Sequence, residues 1–130
     1  MLVRNGQIDE FKKQSEKDFV EEVANDLREN HPDKVAGIEE QELRRRVEYG
    51  LGKAQRYEMT GKYPIAMFIE LMFIAAPDFD EYPLINSILK DTQISPNERI
   101  DEVVNQMNEQ RWQNVKSRSK NEWKVKTEAS

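Results

Sequence analysis

Between Tyr63 and Ala76 the chain runs for 14 residues with a single charge, Glu70. The remainder is strongly polar: 35% of all residues are charged and the mean hydropathy is −0.90. The run falls short of the roughly 20 apolar residues that a membrane-spanning helix requires. Its apolar side chains, Ile65, Ala66, Met67, Phe68, Ile69, Leu71, Met72, Phe73 and Ile74, surround a helix on nearly every side instead of forming one stripe. That is the pattern of a helix packed against several neighbours. The sequence therefore predicts an all-α fold, a compact bundle of about five helices around a central apolar helix at about 62–76. Thr60 is its expected N-cap, and Pro64 falls in the first turn, where a missing donor costs least.

The flanking segments supply amphipathic partners. From about Gln7 to Asn30, residues Ile8, Phe11, Phe19, Val20, Val23, Ala24 and Leu27 share one helical stripe. His31-Pro32 ends that helix, because a residue before proline is biased away from helical dihedrals. A short turn is expected at Asp33 to Ala36, closing at Gly37. A second long helix is predicted from about Glu39 to Glu58, with Leu43, Val47, Gly50, Leu51, Ala54 and Tyr57 facing inward. Gly50 and Gly52 each cost about 1 kcal/mol relative to alanine in a helix interior. Gly50, on the apolar stripe, implies a closely approaching neighbour, whereas nothing in the sequence accounts for Gly52.

Beyond the central run, Pro77-Asp78 marks a stop, and a short helix is expected from about Pro83 to Lys90. Ser95-Pro96-Asn97-Glu98 reads as a serine N-cap, proline at the first helical position and a glutamate completing a capping box. The helix it opens should present Ile100, Val103, Val104 and Met107 inward and fade between Gln113 and Arg118. The division is thus one helical domain over 1–116 and a polar tail over 117–130, expected to be disordered. Trp123 within that tail is notable, since tryptophan outside a core is enriched at interfaces.

Charge and residue usage narrow the chemistry. With no cysteine and one histidine, His31, the chain has no thiolate ligands and cannot assemble a multi-histidine zinc site. A formal net charge of −5 argues against general nucleic-acid binding, which draws its affinity from Lys and Arg on phosphates. Arg44, Arg45 and Arg46 lie among Glu39, Glu40, Glu42 and Glu48 and are nearly self-compensated. The opening residues lack a secretory apolar core, so a cytoplasmic location is expected, without membrane contact and with self-association left open.

Individual residues carry weak chemical signals. Glu70 in its apolar setting has the character of a raised-pKa acid, but pairing with Arg44, Arg45, Lys53 or Arg56 of the preceding helix is the simpler expectation. Asp78, Asp80 and Glu81 alternate, yet the glycine and ligand order of a calcium loop are missing. A hydrolase using Glu70 and Asp80 would need both carboxyls to face one cleft. No catalytic, metal or cofactor residues are assigned. A binding rim is expected from Arg45, Tyr49 and Arg56 together with Asp78, Phe79, Asp80 and Tyr82, because loops and exposed aromatics carry recognition.

The string Val47-Glu48-Tyr49-Gly50-Leu51-Gly52-Lys53-Ala54-Gln55-Arg56-Tyr57-Glu58-Met59-Thr60 has companions in Pro77-Asp78-Phe79-Asp80 and Ile88-Leu89-Lys90-Asp91. Together they resemble a family of small helical bacterial proteins encoded beside type VI secretion effector, spike and PAAR-type genes. The resemblance spans about residues 1–107; Pro64 and Ala75-Ala76 depart from the family's pattern. It implies a non-enzymatic adaptor or chaperone that binds a cognate effector or spike component, or alternatively an immunity protein that neutralises the toxin. It implies no catalytic residue. A small hydrolase and a structural oligomer subunit are the readings from other classes.

Overall fold

The computed structural model describes residues 15–123. The expected helical residues 7–14 and the tail residues 124–130 lie outside the described residues. Among the described residues every regular element is helical: α1 Glu16–Asn30, α2 Pro32–Val35, α3 Glu40–Arg56, α4 Lys62–Ile74, α5 Pro83–Leu89, α6 Arg99–Gln106 and α7 Glu109–Arg118. Two 3-10 turns, Phe79–Glu81 and Pro96–Glu98, precede α5 and α6. The central position of the apolar run holds, since α4 packs against α1, α2, α3 and α6. Its Ile65, Phe68, Ile69 and Met72 are essentially without solvent contact. The α3–α4 contact is close: a Cβ on Gly50 would lie 2.9 Å from Ile69 Cγ1 and 3.0 Å from Met72 Sδ. The same atom on Gly52 would meet only Arg56 Nη1, at 3.7 Å. Gly37 does turn the chain, with φ of 80°.

Several boundaries differ from the sequence expectation, each for a local reason. Gly61, not Thr60, is the N-cap of α4. Thr60 instead joins a bracket made by Asn97: Asn97 Oδ1 accepts from the backbone N–H groups of Thr60 at 2.9 Å and Gly61 at 3.0 Å, and Asn97 Nδ2 donates to Thr60 Oγ1 at 3.0 Å. The Ser95 side chain makes no cap bond; its carbonyl accepts from Glu98 N–H at 2.8 Å and closes a 3-10 turn. The single last helix is broken at Met107-Asn108, where extended dihedrals intervene and Asn108 caps a new helix by accepting from Arg111 N–H at 2.8 Å. Apolar spacing continues through this break, which hid it. Val104, within α6, is 42% exposed where an inward position was expected, and borders the groove between α4, α6 and α7.

Residues 117 and 118 complete α7, and residues 119–123 leave it to run back over α3 and α4.

Candidate functional site

Arg46, Tyr49, Lys53 and Tyr57 recur at intervals of three and four and therefore line one edge of α3. Three features follow one another along that edge. At its N-terminal part lies an aromatic cleft. Trp123 stacks against Phe73 with centroids 4.6 Å apart, meets Tyr49 edge-on at 6.3 Å, and lies beneath the Arg46 guanidinium at 5.4 Å. Lys120 N–H donates to Asp78 Oδ2 at 3.2 Å, while Lys120, Asn121 and Glu122 are exposed. Asn121 takes a left-handed φ of 55°. These ring, cation and hydrogen-bond contacts are worth roughly 3–5 kcal/mol together, against about 1 kcal/mol or more per residue to order 119–123, so docking of this strap is nearly balanced.

One turn further along α3 is a buried ionic cluster. Lys53 and Asp80 are only 8% and 3% exposed. Lys53 Nζ donates to Asp80 Oδ1 at 2.6 Å and to the Pro77 carbonyl at 3.0 Å, and lies 5.4 Å over the Tyr49 ring. Tyr57 OH donates to Asp80 Oδ2 at 2.7 Å, and Asn86 Nδ2 donates to Tyr57 OH at 3.3 Å and to the Asp80 carbonyl at 3.1 Å. Burial, followed by the charge and hydrogen bond of Asp80, pushes the Tyr57 phenol well above its ordinary range, so it remains a donor. The cluster ties the 77–82 turn to α3.

Past it opens a cleft of about 480 Å³ lined by Arg56, Glu58, Lys90, Thr92 and Arg99. Arg99, 4% exposed, donates to the carbonyls of Tyr57 at 3.3 Å, Leu89 at 2.9 Å and Ile94 at 3.0 Å. It thereby satisfies the C-terminal ends of α3 and α5. Glu58, just past α3, has a φ of 73°, a conformation more usual for glycine.

The expected rim is thus brought together only in part. Phe79 is fully buried, packed on Phe68 at 4.9 Å, and Asp80 is committed to Lys53 and Tyr57, so neither is a surface contact. The Asp-Phe-Asp turn reads as a polar loop in sequence, but a buried lysine reaches it from α3. Arg45 is held by Glu42 through two bonds of 2.8 and 2.6 Å. Glu42, bonded by both Arg45 and Arg46, has its pKa lowered to about 2. Tyr49 and Asp78 lie under the strap, and Tyr82 lies below the Arg118 guanidinium at 5.5 Å. Arg56 is exposed on the separate 480 Å³ cleft. Lys53 and Arg99 were missed as site residues, and Trp123 was marked only as a tryptophan outside a core, without the face it covers; the α3 spacing of Lys53 with Tyr49 and Tyr57 was a signal, and Arg99 gave none.

Glu70 does not pair with the α3 cations. It faces Asp26 of α1 in a cleft of about 260 Å³ that Asn30, His31, Tyr63 and Met67 also line. Burial, then the hydrogen bond and charge of Asp26, raises its pKa to about 7. Of the cations it was expected to meet, Arg44 is engaged with Glu21 and Glu40, Arg45 with Glu42 and Lys53 with Asp80, while Arg56 lies on the separate 480 Å³ cleft. Glu70 and Asp80 line different cavities, so they do not form a carboxyl pair across one cleft. A fourth, more apolar groove of about 650 Å³ lies between α4, α6 and α7, with Met67, Leu71, Ile74, Val104, Met107 and Trp112 in its wall.

Among the described residues, no three His, Asp or Glu side chains group as metal ligands, and no helix is long and apolar enough to cross a membrane. Comparison with protein-family models, with curated proteins and with solved structures finds no match.

Proposed function

We propose that this chain is a non-enzymatic accessory factor, an adaptor or chaperone that binds a type VI secretion effector or spike component in the cytoplasm through the α3 edge. The observation that supports this reading is the convergence of its motif residues. Tyr49, Lys53 and Tyr57 belong to one of the strings that carry the family resemblance, and Pro77 and Asp80 to another; they meet in a single cluster flanked by two clefts. Tyr49, Asp78 and Tyr82 remain the contacts nearest solvent on that surface.

Co-expression with the products of neighbouring effector and spike genes, followed by affinity capture, tests the proposal. A single stoichiometric partner is expected, and capture should weaken on replacing Tyr49 and Tyr82 by alanine while the helical circular dichroism is unchanged. A folded chain that captures none of them refutes it. Protection of cells that express the toxin, without any effect on its export, would assign the protein to immunity instead.

A further inference from the structure

We infer that the cleft formed by Arg46, Tyr49 and Phe73 is a recognition site for an aromatic side chain on an extended polypeptide, and that Trp123 fills it in cis until a partner segment takes its place. The occupant's chemistry is visible in the fold. Trp123 is delivered by residues 119–123, which have no regular secondary structure, and its ring is held on three sides by Phe73, Tyr49 and the Arg46 guanidinium. A π-face with a cation above it and aromatic edges beside it selects tryptophan, tyrosine or phenylalanine over aliphatic groups. The backbone of the incoming segment also has a partner, since Asp78 Oδ2 accepts from Lys120 N–H at 3.2 Å.

Displacement is feasible because the strap is lightly held. Between α7 and Trp123 the strap residues Lys120, Asn121 and Glu122 are exposed, and Asn121 adopts a left-handed conformation that a non-glycine residue leaves readily. Val115, three residues before the end of α7, is buried, so the helix stays in place when the strap lifts. Lifting it uncovers Tyr49 and Asp78 together. The identity of the competing segment as part of a secretion partner rests on the accessory role proposed above; the cleft's preference for an aromatic does not.

The full chain carrying Trp123→Ala provides the test, with a fluorescein-labelled peptide of residues 117–127 as probe and anisotropy as readout. Saturable binding is expected to the Trp123→Ala chain, with binding to the unaltered chain weaker by about twofold or more, the factor by which an internal competitor docked half the time lowers apparent affinity. Binding should be lost when the peptide's tryptophan is alanine, or when Phe73→Ala is added to the Trp123→Ala chain; should that chain not fold by circular dichroism, Tyr49→Ala is used in its place. Equal binding to both chains, or none to the Trp123→Ala chain, overturns the inference. Trp123→Ala should also raise capture of the secretion partner by a similar factor, and unchanged capture would refute displacement by that partner. Peptide exchange in a chain that captures no partner would uphold the aromatic cleft and refute the accessory role alone.

Discussion

Replacing Asp80 by alanine is expected to be among the most damaging single changes in this protein. The carboxylate is 3% exposed and is shared by Lys53 Nζ at 2.6 Å and Tyr57 OH at 2.7 Å. Its loss leaves an ammonium that is itself only 8% exposed with one carbonyl acceptor, that of Pro77, and leaves the phenol without its acceptor. Removing one partner of a buried ion pair costs about 3–5 kcal/mol, because the other charge stays desolvated and unpaired. The stability of a domain this size is typically about 5–15 kcal/mol, so about a fifth or more of it would go, with a fall in Tm of roughly 10–20 °C. Urea unfolding followed by circular dichroism measures this directly. The double replacement Lys53→Met with Asp80→Leu should recover most of the loss, since an apolar pair of similar volume carries no desolvation cost. A loss below about 1 kcal/mol for Asp80→Ala would show that water reaches the pair and would refute the argument.

Two further outcomes follow from single positions. Gly52→Ala should stabilise the protein by about 1 kcal/mol through helix propensity, its Cβ meeting only Arg56 Nη1 at 3.7 Å, whereas Gly50→Ala should destabilise it by about 1–2 kcal/mol net, its Cβ meeting Ile69 Cγ1 at 2.9 Å; denaturation midpoints of the two variants settle the contrast. Glu70, raised from 4.5 to about 7, binds its proton more tightly in the folded state, so its contribution is full below pH 4.5 and is lost as the pH rises through about 7. After allowance for its partial exposure the loss should be about 1–2 kcal/mol, and the difference between wild type and Glu70→Gln across pH 4–9 isolates it from the other carboxylates. A flat difference would refute the raised pKa of Glu70 in the folded state.

The apolar spacing of α1 and α3 was legible because each buries a contiguous face, and periodicity reports burial directly; α4 was legible because it is packed on several sides and its run is apolar nearly all round. Gly50 was legible for the same reason: it interrupts an apolar stripe and so requires a neighbour. What escaped the sequence depends on contacts made across the chain. Thr60 has the side chain of an N-cap, but Asn97, 37 positions later, engages it. Glu70 had several cations within reach in sequence, and the intrahelical pairs Arg44–Glu40 and Arg45–Glu42 took two of them. Asp80 and Phe79 sit in what reads as a polar turn, and only the reach of Lys53 from α3 explains why that turn is drawn inside. Trp123 gave a signal as an isolated tryptophan in a polar segment, but not the face it would cover.

The bracket that Asn97 places around Thr60 and Gly61 also bears on the order in which the chain becomes structured. The most apolar helix is synthesised well before the amide that secures its first turn, and before α6, one of the four helices that cover it. On a ribosome, α4 therefore emerges with α1, α2 and α3 already made, but the face that α6 covers stays open until about 30 more residues have been added, the interval in which premature self-association or capture by a general chaperone competes with folding.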